Sequence, residues 1–446
     1  NPLGGLSRRN TTLEKLRAEG PVVVVDAGNL FSGKPVLAEK DRPQQVEKAR
    51  LQAAAYSLAG IDAMLPGAGD LALGIDTVRE LAATHELPYV AANLECGGGS
   101  VFPSSITIER GGVDIAFVGV VGSNLTDPTC RATEPVAAVK AALEGAKADV
   151  VVVLSGQTAQ EDEALAAAIP AISLLVNGQD RQQLQQPRPL PNGGLLLASG
   201  SRGKQLGVLS FTLTPGATSW RDAGVLARLA EQKDTYASRR KELEERIARE
   251  DDPKAKERLG KQADFLAKKA GEIDAQLDAA ARQGGPAHAV TNTLVDMSAG
   301  IADHPATAAL VAAAKERIAK VETISTVSAV ATGPFAGTSA CTGCHAAQAT
   351  QWGTTGHARA WATLSAAGSE RDRACFSCHV TGAFHDEGPK DPGAVAGLEA
   401  VGCEACHGPG KAHVKNPTVD MVKSPDVATC TTCHDGKQDM GRFDHA

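Results

Sequence analysis

Four copies of one short pattern, Cys-x-x-Cys-His, fall within about a hundred residues at the end of this chain. They are Cys341–Cys344–His345, Cys375–Cys378–His379, Cys403–Cys406–His407 and Cys430–Cys433–His434. This is the spacing of c-type haem attachment. Two thiols three residues apart add to the two vinyl groups of one porphyrin, and the adjacent histidine lies under the iron as its proximal ligand. Paired Cys/His zinc sites are the competing explanation, but four matches, each with its histidine, favour four haem c. So short a stretch holds too little protein for an ordinary core around four porphyrins. The rings themselves must form the core, packed closely enough for electrons to pass between them. Short helices and loops should hold them.

The sixth iron ligand separates relay from catalysis: a second histidine closes the iron, and an open position admits substrate. The histidines of this region outside the motifs are His357, His385, His413 and His445. Four candidates for four irons permit complete bis-histidine ligation. His357 and His413 each follow a motif too closely to round the same porphyrin, so each should reach a neighbouring haem. Met421 and Met440 are weaker substitutes, and Trp352 and Trp361 should wall the haems.

At 446 residues the chain has room for two or three domains. It contains no apolar run long enough for a transmembrane helix. The formal charge of −7 precedes the propionates of any haem. An acidic protein of this kind is a poor partner for nucleic acid and suits redox proteins, including a membrane respiratory complex. Haem c is attached outside the cytoplasm, so a processed periplasmic or extracytoplasmic chain is expected, tethered through a partner or a lipid anchor if membrane-associated. The two cysteines outside the motifs, Cys96 and Cys130, form one disulfide in such a compartment or remain as two free thiols.

Residues 1–221 read as an α/β domain. Short apolar runs bounded by turn residues mark strands at Val22–Val25, Val113–Val121, Val150–Leu154, Ile172–Val176, Leu195–Leu197 and Leu206–Leu213. Helical patterns lie between them at Thr12–Ala18, Val46–Leu58, Asp76–Ala83, Val136–Ala146 and Gln160–Ala168. The alternation predicts a layered sheet with helices outside. Over 222–284, glycine and proline nearly vanish and apolar residues recur every seven positions, as in Leu229, Tyr236 and Leu243, then Leu259, Leu266 and Ile273. Asp251-Asp252-Pro253 supplies a turn, so an antiparallel helical hairpin follows, with arms of roughly 40 Å. Its charges are either a solvated face or the surface of a docking or dimerisation arm. Residues 285–332 should connect back through a strand, Ala289–Met297, and a helix, Pro305–Val321, with His288 and His304 as surface histidines. The tetrahaem region is then 333–446.

The front of the chain also carries a resemblance. Gly4-Gly5-Leu6-Ser7-Arg8-Arg9, Val24-Val25-Asp26-Ala27-Gly28-Asn29, Gly60-Ile61-Asp62-Ala63-Met64 with Gly67, Val151–Ser155 and Gly200–Gly207 follow one another as in the 5′-nucleotidase branch of the metallophosphoesterases. The resemblance covers about residues 1–215. It implies a layered α/β fold and, in active members, two metal ions held by Asp, Asn and His that clamp the reacting oxygens. The ligand positions differ here. Asn29 stands for the family's aspartate, Ala68 and Gly69 for its Asn-His, Gly156 for the His of Ser-His, and Gln179 and Arg181 for the two histidines of Gly-His-x-His. The first Asp-x-His block would precede Asn1. Glycine and alanine offer no ligand atom and Arg181 repels a dication, so the expectation is a scaffold that has lost phosphoesterase activity.

The haem region resembles the multihaem cytochrome c-554 family through Cys341-Thr342-Gly343-Cys344-His345 with Trp352 and His357, Cys375–Gly382, and Val401–Gly410 with His413. In that family the histidines matching His357 and His413 are distal ligands, one haem is five-coordinate, and haems pack in stacked and perpendicular pairs. His385 and His445 fit the pattern less well. The expected function is electron relay. The alternatives are a haem oxidoreductase acting on a small nitrogen or sulfur compound, or a haem subunit of a larger respiratory assembly.

Overall fold

A computed structural model describes residues 3–179, 183–282, 286–321, 333–393, 395, 397–434 and 443. Its central element is a six-stranded sheet in the order Arg188–Pro189, Leu195–Leu197, Leu174–Asn177, Val150–Ser155, Val113–Val120, Ser105–Arg110. The four inner strands are parallel and the two edges antiparallel. Successive side chains leave a strand on opposite faces, and both faces here are buried. Ile115, Phe117, Leu154 and Leu174 feed one core cluster, whereas Val118, Val120, Val153 and Leu175 feed another.

The second face is covered by the helices Pro135–Leu143 and Ala159–Ala168, through Val139 and Leu165. The latter helix starts at a capping box in which Thr158 and Glu161 satisfy each other's backbone amides. The first face packs on a small parallel pair, Val25–Asp26 with Ala63–Met64, and on the helices Arg42–Ala59 and Ile75–His85. The layered α/β arrangement expected from the apolar runs is therefore present. The strand Ser105–Arg110 and a three-stranded sheet of Leu94–Cys96, Gly99–Ser100 and Cys130–Ala132 were not foreseen. Within that small sheet Cys96 and Cys130 are disulfide-bonded, which resolves the choice between disulfide and free thiols.

The helices Val225–Arg249 and Pro253–Arg282 form the hairpin and pack principally on each other. Leu229, Leu259, Ala263 and Ile273 are buried along the seam, and Lys233 bridges the arms to Asp274 at 2.5 Å. The strand His288–Asp296 runs antiparallel to Gln205–Thr212 and parallel to Trp220–Asp222. The hairpin thus leaves and re-enters a single three-stranded sheet. His288 and His304 both have structural roles there. His288 Nδ1 accepts the Thr214 amide, and His304 caps the helix Pro305–Lys320 by accepting from Thr307 N.

The haem region sits on the helices Arg42–Ala59 and Pro305–Lys320. Gln44 donates to Arg371 O at 2.8 Å and accepts from Arg373 N at 3.1 Å. Lys48 pairs with Asp372 at 2.5 Å, Arg373 pairs with Asp41 at 2.8 Å, and Lys315 donates to Ala367 O at 2.8 Å. Its apolar core is small, consisting of Phe335, Phe376, Val380, Ala383, Val395 and Leu398 with Trp361 against them.

Candidate haem centres

Each motif forms a tight turn or lies in a short helix. His345 N and His434 N close on Cys341 O and Cys430 O at 3.0 and 2.9 Å. The second and third motifs lie in the helices Arg373–His379 and Cys403–His407. Asp372 caps the first of these through Ala374 N, and Asp426 caps the helix Val427–Thr431 that leads into the fourth motif.

Three histidines are held through Nδ1 by backbone carbonyls: His379 by Ala360 O and His407 by Val422 O, both at 2.6 Å, and His413 by Val419 O at 2.7 Å. A proton kept on Nδ1 leaves Nε2 free to bind iron, and the carbonyl fixes the ring's direction. Two pairs of rings approach each other, one stacked and one edge-on. His345 and His413 are 6.4 Å apart between ring centres, inclined by 29°, and His357 and His434 are 6.1 Å apart, inclined by 62°. Two imidazoles on opposite sides of one metal, each bonded through nitrogen at about 2 Å, have centres about 6 Å apart. Each pair joins a motif histidine to one from another segment. Burial, with His434 adding to it, pushes His357 below the usual histidine range, which favours the neutral form that binds metal.

The thiols of Cys341 and Cys403 are in hydrogen-bonding contact, and Cys406 lies near Cys430. Burial, then Cys403 and Glu404, push the Cys341 thiol up to about 11. Cys375 instead lies beside Asp372 and the scaffold residues Lys48 and Lys315. Cys344, Cys378 and Cys433 are likewise unbridged by disulfides. Exposed or half-buried thiols, a small apolar core and imidazoles oriented by backbone carbonyls are what haem-attachment sites require, so these residues fit the group.

One of the four candidate distal histidines stands apart in the structure. His385 lies on an exposed loop, its Nδ1 accepts Glu387 N at 3.2 Å, and its ring stands edge-on to Phe335. It faces no motif histidine, because the turn around Gly382–Gly388 holds it at the surface. His445 and Met440 lie outside the described residues. Among the described residues no imidazole is paired with His379 or His407. Met421 approaches Gly410, Trp352 donates to Val401 O at 2.9 Å, and Trp361 packs on the small core. One important residue was missed. Glu404, between the two cysteines of the third motif, is 2% exposed and accepts three backbone amides. A carboxylate inside a haem motif was the available signal.

In the front domain the loops at the carboxyl ends of the strands converge where the resemblance would place metal ions. Asn29 has a left-handed backbone (φ 61°), and its Oδ1 accepts Gly69 N at 2.8 Å. Asp70 is fully buried and accepts from Asn29 N, Phe31 N and Gly67 N. A Cβ on Gly69 would lie 1.8 Å from Ser32 O, and one on Gly178 2.0 Å from Ala27 O. At Gly69, the position of the family's histidine, backbone therefore occupies the space that an imidazole would need. Ser155 has turned inward to donate to Asp162 at 2.6 Å. Gly156 and Gln179 bring no imidazole or carboxylate to this edge, and Asp180 and Arg181 lie outside the described residues.

Thiols in Cys-x-x-Cys-His turns with paired histidines beside them are the features of a c-type cytochrome region, one suited to covalently bound haem c. Residues 340–408 match the family model for cytochrome c554 and c-prime. Cytochrome c-554 of Nitrosomonas europaea is 30% identical over 141 residues, a match covering 24% of this chain and 60% of that protein. The chain thus spans somewhat less than two thirds of that relative's length. Among solved structures, the sulfate thiohydrolase of Thermus thermophilus is similar over 76% of this chain and 50% of that one, at 14% identity and a TM-score of 0.49. The 5′-nucleotidase precursor of the same species is similar over 71% and 54%, at 15% identity and a TM-score of 0.49.

Proposed function

We propose that this chain is an extracytoplasmic tetrahaem cytochrome that passes electrons between redox partner proteins. The facing of His345 with His413 and of His357 with His434, at the separation of two imidazoles on one iron, carries the reading. Bound haem c supplies the one-electron chemistry, and the chain's own residues attach it, orient it and shield it. Cys341/Cys344, Cys375/Cys378, Cys403/Cys406 and Cys430/Cys433 attach four haems, with His345, His379, His407 and His434 proximal. His413 and His357 close the first and fourth irons. The Cys341–Cys403 contact and the proximity of Cys406 to Cys430 support a path from the first haem through the third to the fourth. The second haem stands next to the scaffold helices.

On this reading residues 1–221 are a non-catalytic scaffold. The hairpin 222–284 is a docking or dimerisation arm, supported by the 58% exposure of Phe265. Residues 285–332 return the chain to the haem region 333–446, and docking on a membrane respiratory complex would place the relay in a respiratory chain. A pyridine haemochrome assay with protein mass tests the count: four haems per chain are expected, and any other number refutes it.

A second reading follows from His379 and His407, which face no imidazole among the described residues. One of these irons would be open, and the protein would act on a small nitrogen or sulfur compound. Spin-state spectroscopy of the oxidised protein separates the two. A ligand-inert, fully low-spin spectrum supports relay alone, whereas high-spin ferric signal with nitric oxide or cyanide binding supports the oxidoreductase.

A further inference from the structure

Glu404 ties the two sides of the first haem site together. Its Oε1 accepts Ala336 N at 2.8 Å and Gly410 N at 2.6 Å, and its Oε2 accepts Gly337 N at 2.8 Å. Gly337 opens the Thr338–Ala340 turn that delivers Cys341, whose amide closes on Thr338 O at 3.0 Å. Gly410 precedes the helix Lys411–Lys415 that carries His413. One carboxylate therefore joins the segment leading to the proximal ligand His345 with the segment leading to its facing ring. The carboxylate itself belongs to the motif of the third haem.

The surroundings leave Glu404 little freedom. It is 2% exposed. Gly337 has φ 84°, and a Cβ there would lie 2.8 Å from Gly397 O. A Cβ on Gly410 would lie 3.1 Å from Glu404 Oε1. Three donors converge on two oxygens, an arrangement that suits the acceptor-only carboxylate. Glu404 is close enough to Cys341 for its charge to act on that sulfur, which is a point of attachment to the porphyrin.

We infer that Glu404 is a positioning residue for the iron held by Cys341, Cys344 and His345, and that its buried negative charge lowers that iron's reduction potential. A fixed anion near the iron favours the ferric state, which carries one more positive charge than the ferrous state, and low surrounding dielectric strengthens the effect. The proposal rests on the reading that His345 and His413 share one iron.

The test uses the haem-loaded full chain. His413→Ala first identifies the low-spin signal and the midpoint belonging to this iron. In Glu404→Gln the carboxamide nitrogen cannot accept a hydrogen bond, so one oxygen must serve the three donors. The midpoint of that haem should move upward and its low-spin signal should change, with haem content as in the parent. Gly410→Ala keeps the charge while pressing its methyl on Oε1. It should alter the same low-spin signal with a smaller change in midpoint, and it serves where Glu404→Gln does not take up haem. Unchanged midpoint and signal in a fully loaded Glu404→Gln protein, or an unchanged signal in Gly410→Ala, overturn the proposal. If His413→Ala leaves every haem low-spin, the ligand pair itself is wrong.

Discussion

The imidazole of His357 lies 6.1 Å, centre to centre, from that of His434, so the segment after the first motif brings a ring to the histidine of the fourth. His413 does the same from beyond the third motif to the first. The first, third and fourth attachment turns, far apart in the chain, are thereby brought together without a large apolar core beneath them. Removing either ring should open one iron. His357→Ala and His413→Ala are each expected to convert one low-spin haem to high-spin and to create one new cyanide-binding site, and the double variant two. Electron paramagnetic resonance with cyanide titration reads both, and an unchanged low-spin count in either single variant refutes that pair.

The junction of scaffold and haem region rests on a few polar contacts. Asp372 caps the helix bearing Cys375, Cys378 and His379 and pairs with Lys48 at 2.5 Å, with both side chains largely covered. Asp372→Ala loses the cap and the ion pair together, so the haem-region transition should be destabilised by about 1–3 kcal/mol. Lys48→Ala should cost less, because the cap remains. Soret-monitored thermal unfolding measures both, and an equal loss in the two variants would argue against the cap.

Restoring a histidine at Gly69 should not restore a metal site. The added Cβ would meet Ser32 O at 1.8 Å, so the loop must shift before any side chain fits. Gly69→His is expected to lose about 1–3 kcal/mol or more of front-domain stability. It should bind no manganese by calorimetry. A stable variant that binds the metal would show that the loop yields easily.

Burial raises the Asp70 carboxyl to about 7 against the hydrogen bonds from Phe31, Gly67 and Asn29, with the charge of Asp26 adding to the rise. In the unfolded chain the same group titrates near its ordinary value of 3.8. The folded state therefore binds more protons between these limits. The contribution to stability is complete below the lower value and is lost as pH rises through about 7, by at most about 1.4 kcal/mol per pH unit. Asp70→Asn should abolish that slope while lowering stability overall, since the amide gives up an acceptor. Hydrogen exchange of the Asn29, Phe31 and Gly67 amides against pH reports it, and a slope that persists in the variant assigns the dependence elsewhere.

The Cys96–Cys130 disulfide closes a loop with a sequence separation of 34 residues. Restricting the unfolded chain over such a loop contributes about 4 kcal/mol in the chain-entropy model. The double variant Cys96→Ala/Cys130→Ala should unfold at correspondingly lower denaturant in the front domain, with the haem spectrum unchanged. A shift in the haem bands would show that the bond reaches further than its own sheet.

The sequence by itself determined what depends on local pattern and covalent chemistry. Cys-x-x-Cys-His specifies attachment and a proximal histidine in five residues, and the heptad leucines on both sides of Asp251-Asp252-Pro253 specify a hairpin. Buried strands such as Val150–Ser155 announce themselves because both faces of the sheet are covered. The weaker strands Leu94–Cys96 and Cys130–Ala132 do not, since short, half-exposed pairs carry no apolar run. Only the tertiary structure decided which rings meet. His357, His385 and His413 each follow a motif in the sequence. Backbone turns bring two of them to a motif histidine and leave His385 on the surface beside Phe335. The closing of the front cleft was also a tertiary result: missing ligands could be read from Ala68 and Gly69, but the backbone of Ser32 crowding Gly69 could not. Glu404 shows the same division. Its position inside a motif was legible, but its three amide donors come from segments that only folding brings together.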